Sequence, residues 1–379
     1  MRSRTLLVLA GLLLALAGAW VIAVLPPSAA GDARVAPVLP PEEQAELVAA
    51  LRPPKRSVPL VAVIGLNAGT ETTDYIVPYG VLRASGVAEV EAVSTGPGRL
   101  QLMPALALES RETTADFDAR HPEGADYVIV PALHDPADPT VGTWIRSQSE
   151  KGATIVGICA GARVLAHAGL LRDRRATTHW YELAGLRRDE PTVRWVRDRR
   201  YVADHGVVTT TGVTASVPLS LAIVEAIGGR ERAQAVARAL GVDAWDAAHD
   251  SDAFRLDRGH ALTAARNWLA FWSHDAIGIP VASGVDEIAL ALTADAYSRT
   301  YRSRALAVAS DGAPLVTRRG LALLPDDARS ERPDVMLAAV PSERPALALD
   351  TALGDIAHRY GQPTAAFVAL QLEYPWRAR

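Results

Sequence analysis

The only cysteine of the chain, Cys159, stands in Gly157-Ile158-Cys159-Ala160-Gly161. An apolar run, Ala153-Thr154-Ile155-Val156, precedes it, and a helix-like pattern from Ala162 to Leu170 follows. Strand, Gly-x-Cys-x-Gly, helix is the pattern of a nucleophile elbow with sulfur in place of the serine oxygen. The two glycines allow the backbone to turn sharply. The turn presents the side chain at the carboxyl end of the strand, over the first turn of the helix. A helix N-terminus favours an anion, so the thiol pKa is expected below that of free cysteine. The competing assignment is a small buried core residue, a common use of an unpaired cysteine.

The same segment carries a family resemblance. Gly157-Ile158-Cys159-Ala160-Gly161-Ala162, followed by Ala176-Thr177-Thr178-His179-Trp180, resembles the DJ-1/PfpI superfamily, a branch of the class I glutamine-amidotransferase-like fold. Thr73-Asp74-Tyr75-Ile76-Val77-Pro78-Tyr79-Gly80-Val81-Leu82 resembles the family segment whose acidic residue hydrogen-bonds the cysteine sulfur. Asp at this place is similar to the branch of isonitrile hydratases and of the sensor domains of GlxA-like regulators. The resemblance covers residues 58 to 240. It implies that Cys159, Asp74 and His179 form the site. A thiolate nucleophile needs a proton partner and an anion hole. Asp74 is the candidate partner, as a protonated carboxyl or proton shuttle, although Thr72-Thr73-Asp74 also reads as a helix N-cap. His179 is a candidate base or orienting group, or else makes a structural hydrogen bond beside Trp180. The backbone N–H groups of Ala160, Ala132 and Leu133 are the candidate oxyanion donors.

Two departures from the family pattern bear on function. Residue 160 is Ala, where amidotransferase-like peptidases of the superfamily often carry His, which weakens a protease assignment. The loop Pro131-Ala132-Leu133-His134-Asp135-Pro136 replaces a common Pro-Gly-Gly. His134 faces either the pocket or solvent, and Asp135 suits a turn before Pro136.

The elements that position these residues read as alternating strands and helices. Val58 to Leu66 is a continuous apolar run, hence a buried parallel strand. Tyr75 to Ala84 reads as a helix, Ala88 to Ser94 and Asp126 to Pro131 as strands, and Pro139 to Lys151 as an amphipathic helix. Val207 to Thr211 is a later strand and Thr214 to Ile227 an apolar helix. The pattern predicts a doubly wound, flavodoxin-like parallel sheet with the site at the carboxyl ends of its strands. Residues 241–280 read as a helical connector whose tryptophans, Trp245, Trp268 and Trp272, pack between lobes. Residues 281–379 echo the first half: Glu91 to Gly98 against Leu306 to Ala313, Leu106 to Leu108 against Leu321 to Leu324, and Asp126 to Pro131 against Asp334 to Pro341. They are expected to form a partial second α/β lobe without a nucleophile.

At 379 residues the chain is long for one domain. A net charge of −4 argues against a nucleic-acid partner. With one Cys there is no zinc-type spacing, and no metal or cofactor is expected. Met1-Arg2-Ser3-Arg4 is basic and Thr5 to Leu25 is free of charge. As a helix that run would rise about 31 Å, enough to cross a bilayer. Residues 1–27 are therefore expected to be a membrane anchor through residues 5–25, with the remainder outside the cytoplasm; a cleaved signal peptide and secretion are the alternative. Residues 28–57 read as a Pro-rich linker with a helix from Glu42 to Leu51, and residues 58–240 as the DJ-1/PfpI-like domain. The partners expected are a small molecule, the membrane, and a second copy in a homodimer. Two functions fit: a cysteine hydrolase or hydratase acting on a small electrophile, or a non-catalytic ligand- or redox-sensing module.

Overall fold

A computed structural model describes residues 25–26, 36–310, 312–327 and 331–376. Helix α1 (Pro41–Ala50) leads into β1 (Leu60–Gly65), β2 (Thr70–Glu71) and α2 (Thr72–Ser85). Next come β3 (Glu89–Ser94), the hairpin β4 (Gly98–Met103) and β5 (Ala107–Ser110), α3 (Thr114–Arg120), β6 (Tyr127–Val130) and α4 (Pro139–Glu150). The elbow strand β7 (Thr154–Gly157) runs into α5 (Gly161–His167). Then follow β8 (Arg175–Ala176), α6 (Trp180–Asp189), β9 (Arg194–Trp195), β10 (Tyr201–Asp204), β11 (Val207–Thr210), α7 (Ser216–Gly228) and α8 (Arg230–Leu240). The central sheet has the order β10-β11-β7-β6-β1-β3, parallel throughout except for β10. This is a doubly wound, flavodoxin-like sheet of the class I glutamine-amidotransferase-like kind. Every residue of β1 is buried, which accounts for its unbroken apolar sequence: helices cover both faces of a parallel sheet. Helix α2 starts at Glu71, whose side chain accepts from the Asp74 N–H, and stops at Gly86 in the left-handed conformation.

The remaining residues build a second lobe. After α9 (Arg258–Leu269) come β12 (Asp275–Pro280), α10 (Glu287–Ser298), β13 (Ser303–Val308), the short strands β14 (Leu315–Val316), β15 (Ala322–Leu323) and β16 (Val335–Met336), then α11 (Ala348–Tyr360) and α12 (Gln362–Leu372). Its sheet, β13-β12-β16, is parallel. The order matches β3-β1-β6 of the first lobe. Strand β12 lies inside the stretch expected to be a helical connector, so this sheet begins at Asp275 rather than after residue 280. The signal was Ala276-Ile277-Gly278-Ile279, an apolar run too short to distinguish from helix by periodicity.

The lobes share structure at two places. Helices α2 and α10 pack on each other: Gly80 lies so close to Ile288 that a Cβ there would come within 2.6 Å of its side chain. Strand β15 pairs antiparallel with β5, Leu323 opposite Leu108, joining the two hairpins in one five-stranded sheet. Each of these leucines is the second residue of its strand, so like meets like, as in an isologous contact. One apolar cluster runs from Tyr75 and Ile76 of α2 to Ile288, Leu353 and Val368 of the second lobe.

Three further expectations are corrected. Residues 36–57 are not a free linker but pack on the domain. Glu43 binds Arg199 at 2.6 Å, Gln44 donates to Tyr201 Oη at 2.9 Å, and Leu51 is fully buried. Trp268 and Trp272 do not pack between lobes but stand 66% and 77% exposed; Trp245 is buried. The single-pass membrane location is not supported: among the described residues no helix is long and apolar enough to cross a membrane. Residues 5–24 lie outside the described residues.

Candidate functional site around Cys159

Cys159 sits between β7 and α5 with φ +56°, a left-handed conformation that non-glycine residues seldom adopt. The turn is held from several sides. The Cys159 N–H donates to Thr210 Oγ1 at 2.9 Å, and Thr178 Oγ1 donates to the Cys159 carbonyl at 3.3 Å. A Cβ on Gly161 would lie 2.2 Å from the Val130 carbonyl oxygen. Only glycine lets α5 start this close to β6. Gly161→Ala is therefore expected to cost about 1–3 kcal/mol, the range for overpacking, and to expose the sulfur. Thermal melting with the alkylation rate of Cys159 checks both effects; unchanged values for both would remove the packing argument.

Asp74 is fully buried near the sulfur. Its Oδ2 accepts from the Ala132 N–H at 3.1 Å, and its Oδ1 is buried without a hydrogen-bond partner. The hydrogen bond expected between Asp74 and the sulfur is not formed. Burial pushes the Asp74 carboxyl up to about 7, against the Ala132 N–H and Arg299, which lower it. Glu71 is driven well above the carboxylate range by burial and by the nearby charges of Asp74 and Asp295.

The thiol itself departs from expectation. Its pKa is raised well above that of free cysteine, first by burial and then by the charges of Asp74, Glu71 and Glu373. The Ala160 N–H acts in the opposite direction, towards the thiolate, and is outweighed. Helix α5, with seven residues, is short, and a macrodipole acts only within its terminal turn. Three acidic groups around a sulfur that is 5% exposed overcome it.

His179 is not brought to the sulfur as a base. It caps α6, its Nδ1 accepting from the Tyr181 N–H at 3.3 Å, while Nε2 donates to the Gln371 carbonyl at 3.0 Å. Both ring nitrogens are engaged by backbone, and burial lowers the ring's pKa, so it is held neutral. Of the three oxyanion candidates, Ala160 keeps its N–H at the sulfur. The Ala132 N–H is taken by Asp74. Leu133 is buried and bridges Thr70. His134 and Asp135 are exposed.

The second lobe supplies what the sequence did not reveal. Arg299, just past α10, reaches across to Glu71 at 2.6 Å and holds Asp295 at 2.6 Å. Thr73 Oγ1 donates to Asp295 Oδ2 at 2.9 Å. After α12, Glu373 presses its charge on Cys159 and His179. Trp180 Nε1 donates to the Leu370 carbonyl at 2.9 Å, so the end of α12 lies over the segment that carries His179. Glu71 had a local signal, an acid three residues before Asp74 in an otherwise uncharged stretch. Arg299, Asp295 and Glu373 had none. Among the described residues no three His, Cys, Asp or Glu side chains cluster so as to hold a metal ion.

Residues 61–226 match the DJ-1/PfpI family, and this part of the chain is a domain of that family. The chain is similar to the HTH-type transcriptional regulator CdhR of Pseudomonas aeruginosa, with 31% identity over 133 residues, 34% of this chain and 39% of that protein. It is similar to the isonitrile hydratase of Pseudomonas putida, with 36% identity over 95 residues, 24% of this chain and 40% of that protein. The match thus spans about two fifths of the length of each of these two relatives. The crystal structure of Drosophila melanogaster DJ-1beta aligns with 49% of this chain and all of its own, at 24% identity and a TM-score of 0.44.

Proposed function

We propose that this DJ-1/PfpI domain is a ligand-sensing module whose cysteine is kept as a protonated thiol, and not a cysteine hydrolase or hydratase. One observation carries the reading: Cys159 is covered, surrounded by Asp74, Glu71 and Glu373, and faces no base. Attack on a small electrophile needs a thiolate, because the thiol is a poor nucleophile. Here the nearest proton acceptors are carboxyls that burial already disposes to hold protons of their own. The likeness to a transcriptional regulator supports a sensing role. The likeness to isonitrile hydratase supports the catalytic alternative, in which Cys159 attacks a small electrophile and water releases the product. That alternative needs the Cys159 proton to leave for Asp74, whose unpartnered Oδ1 is the acceptor the site provides.

The rate of iodoacetamide alkylation against pH separates the two readings. The sensing reading expects Cys159 in the folded full chain to react at least about tenfold slower at pH 7.5 than in the unfolded chain, with a midpoint above that of a free thiol, about 8.5. A folded-state midpoint below that of a free thiol, together with turnover of an isonitrile or an amide, would overturn it.

A further inference from the structure

Thr210 and Thr178 hold the backbone of Cys159, and each is followed closely by residues that bind the end of the second lobe. After Thr178, His179 Nε2 donates to the Gln371 carbonyl at 3.0 Å and Trp180 Nε1 to the Leu370 carbonyl at 2.9 Å. After Thr210, Gly212 lies against the Glu373 side chain, and Thr214 Oγ1 donates to the Glu373 carbonyl at 3.0 Å. The Leu370 and Gln371 carbonyls belong to the last turn of α12, where a helix leaves its acceptors without partners of its own. Residues 370–374 therefore bridge the two segments that flank the elbow, and the cysteine is 5% exposed.

This bridge is held at a local disadvantage. Glu373 is left-handed, with φ +54°, which non-glycine residues seldom adopt. Its Oε2 is buried without a hydrogen bond, as is His249 Nε2, which stands 3.4 Å from Oε1. The seat of Glu373 exists because residue 212 has no side chain: a Cβ on Gly212 would lie 2.2 Å from the Glu373 Cβ. Gly212 has φ −61°, open to any residue, so glycine serves for space and not for backbone freedom. Backbone strain and unpaired buried atoms persist only where the surroundings enforce them, and they gather at segments that switch. The named hydrogen bonds to the first lobe all run from its side chains to carbonyls. The segment's own N–H groups turn inward, Glu373 donating to the Leu370 carbonyl at 3.1 Å and Tyr374 to the Ala369 carbonyl at 2.8 Å. Towards the second lobe, Gln371 Nε2 donates to the Arg299 carbonyl at 2.8 Å and Tyr374 Oη to Asp350 at 2.9 Å.

We propose that residues 370–374 are a displaceable plug: they lift off the elbow while both sheets stay folded, and this opening admits molecules to the Cys159 sulfur. The plug gives the sensing site its control of access and rests on that reading for its purpose. Access and acidity are measured separately, so each can fail alone.

The test follows iodoacetamide alkylation of Cys159 in the full chain at about pH 8.5, where a thiol reacts measurably, against urea below the unfolding transition. Local opening exposes little surface, so the rate is expected to change less than about twofold over the first 1 M or so of urea, then to join the steep limb of global unfolding. Gly212→Ala, whose new Cβ collides with Glu373, is expected to raise the rate without urea at least about tenfold. Glu373→Gly removes the occupant of the seat and takes the left-handed conformation freely, so a rise of about the same size is expected with little change in melting temperature. It decides the matter if Gly212→Ala does not melt cooperatively. Glu373→Gln keeps the occupant and removes its charge, and a change below about threefold is expected. The proposal is overturned if the parent's rate follows the global unfolding slope down to zero urea, if Glu373→Gly reacts at the parent's rate, or if Glu373→Gln reacts as fast as Glu373→Gly. A pH midpoint below that of a free thiol would sink the sensing reading and leave these rate ratios standing.

Discussion

Arg299→Ala is expected to destabilise the folded chain by about 3–5 kcal/mol, the usual result of removing one partner from a buried ion pair. The guanidinium holds Glu71 and Asp295 at 2.6 Å each, and its charge also favours ionised Asp74. Its side chain is 19% exposed and those of Glu71 and Asp295 are 9% and 1%. Removing it leaves the buried Asp295 without its cation beside two further buried carboxyls and breaks a tie between the lobes. Urea denaturation of the variant at pH 7 measures the loss. Adding Asp295→Asn and Glu71→Gln should recover much of it, because the cost is that of uncompensated charge. A loss below about 1 kcal/mol, the value of an exposed pair, would mean that the cluster does not carry the lobe contact.

The second large effect concerns pH. Asp74 is pushed up to about 7 in the folded chain from an ordinary value of 3.8. Between these values the folded state holds a proton that the unfolded state has lost. Stability therefore falls as pH rises from about 4 to 7, by up to roughly 4 kcal/mol for this one group. Glu71, raised for the same reason, adds to the slope in the same direction. Asp74→Asn removes the titrating proton. The variant is expected to be more stable than the parent at pH 7.5, and the difference should vanish near pH 4. Denaturation of both proteins across this range checks the sign. A parent that gains stability relative to Asp74→Asn as pH rises would show that Asp74 is held ionised by its neighbours.

These expectations depend on contacts that a local reading does not contain. The parallel strands of the central sheet and the helices α2, α4, α5 and α7 were legible because each is apolar in period and bounded by turn residues, whereas the hairpin β4–β5, α3, α6 and the antiparallel β10 were not read. Val58 to Leu66 and Asp126 to Pro131 were expected as strands and fold as β1 and β6. The echo between Glu91–Gly98 and Leu306–Ala313 fell on β3 and β13, which take the same place in two sheets. Strand β12 was missed because the four-residue apolar run Ala276 to Ile279 carries no decisive period. Trp268 and Trp272 were misplaced because an aromatic residue's type does not say which side of a helix will be covered.

By itself, the sequence determined the elbow. Gly157, Cys159 and Gly161 specify a turn that only small residues allow, and the apolar runs on either side specify the strand and helix that hold it. Sequence placed Asp74 in the same neighbourhood, since the loop after β1 must open at the same edge of the sheet as the loop after β7. Tertiary structure alone decided what the sulfur is. Its proton affinity follows from burial and from Asp74, Glu71 and Glu373, held in place by Arg299 and the end of α12. Charges interact through space, and over a few ångströms in a poorly solvated interior they outweigh the terminal dipole of a seven-residue helix. Residues brought together from more than 200 positions apart leave no pattern along the chain, so the motif could give the turn but not its chemistry.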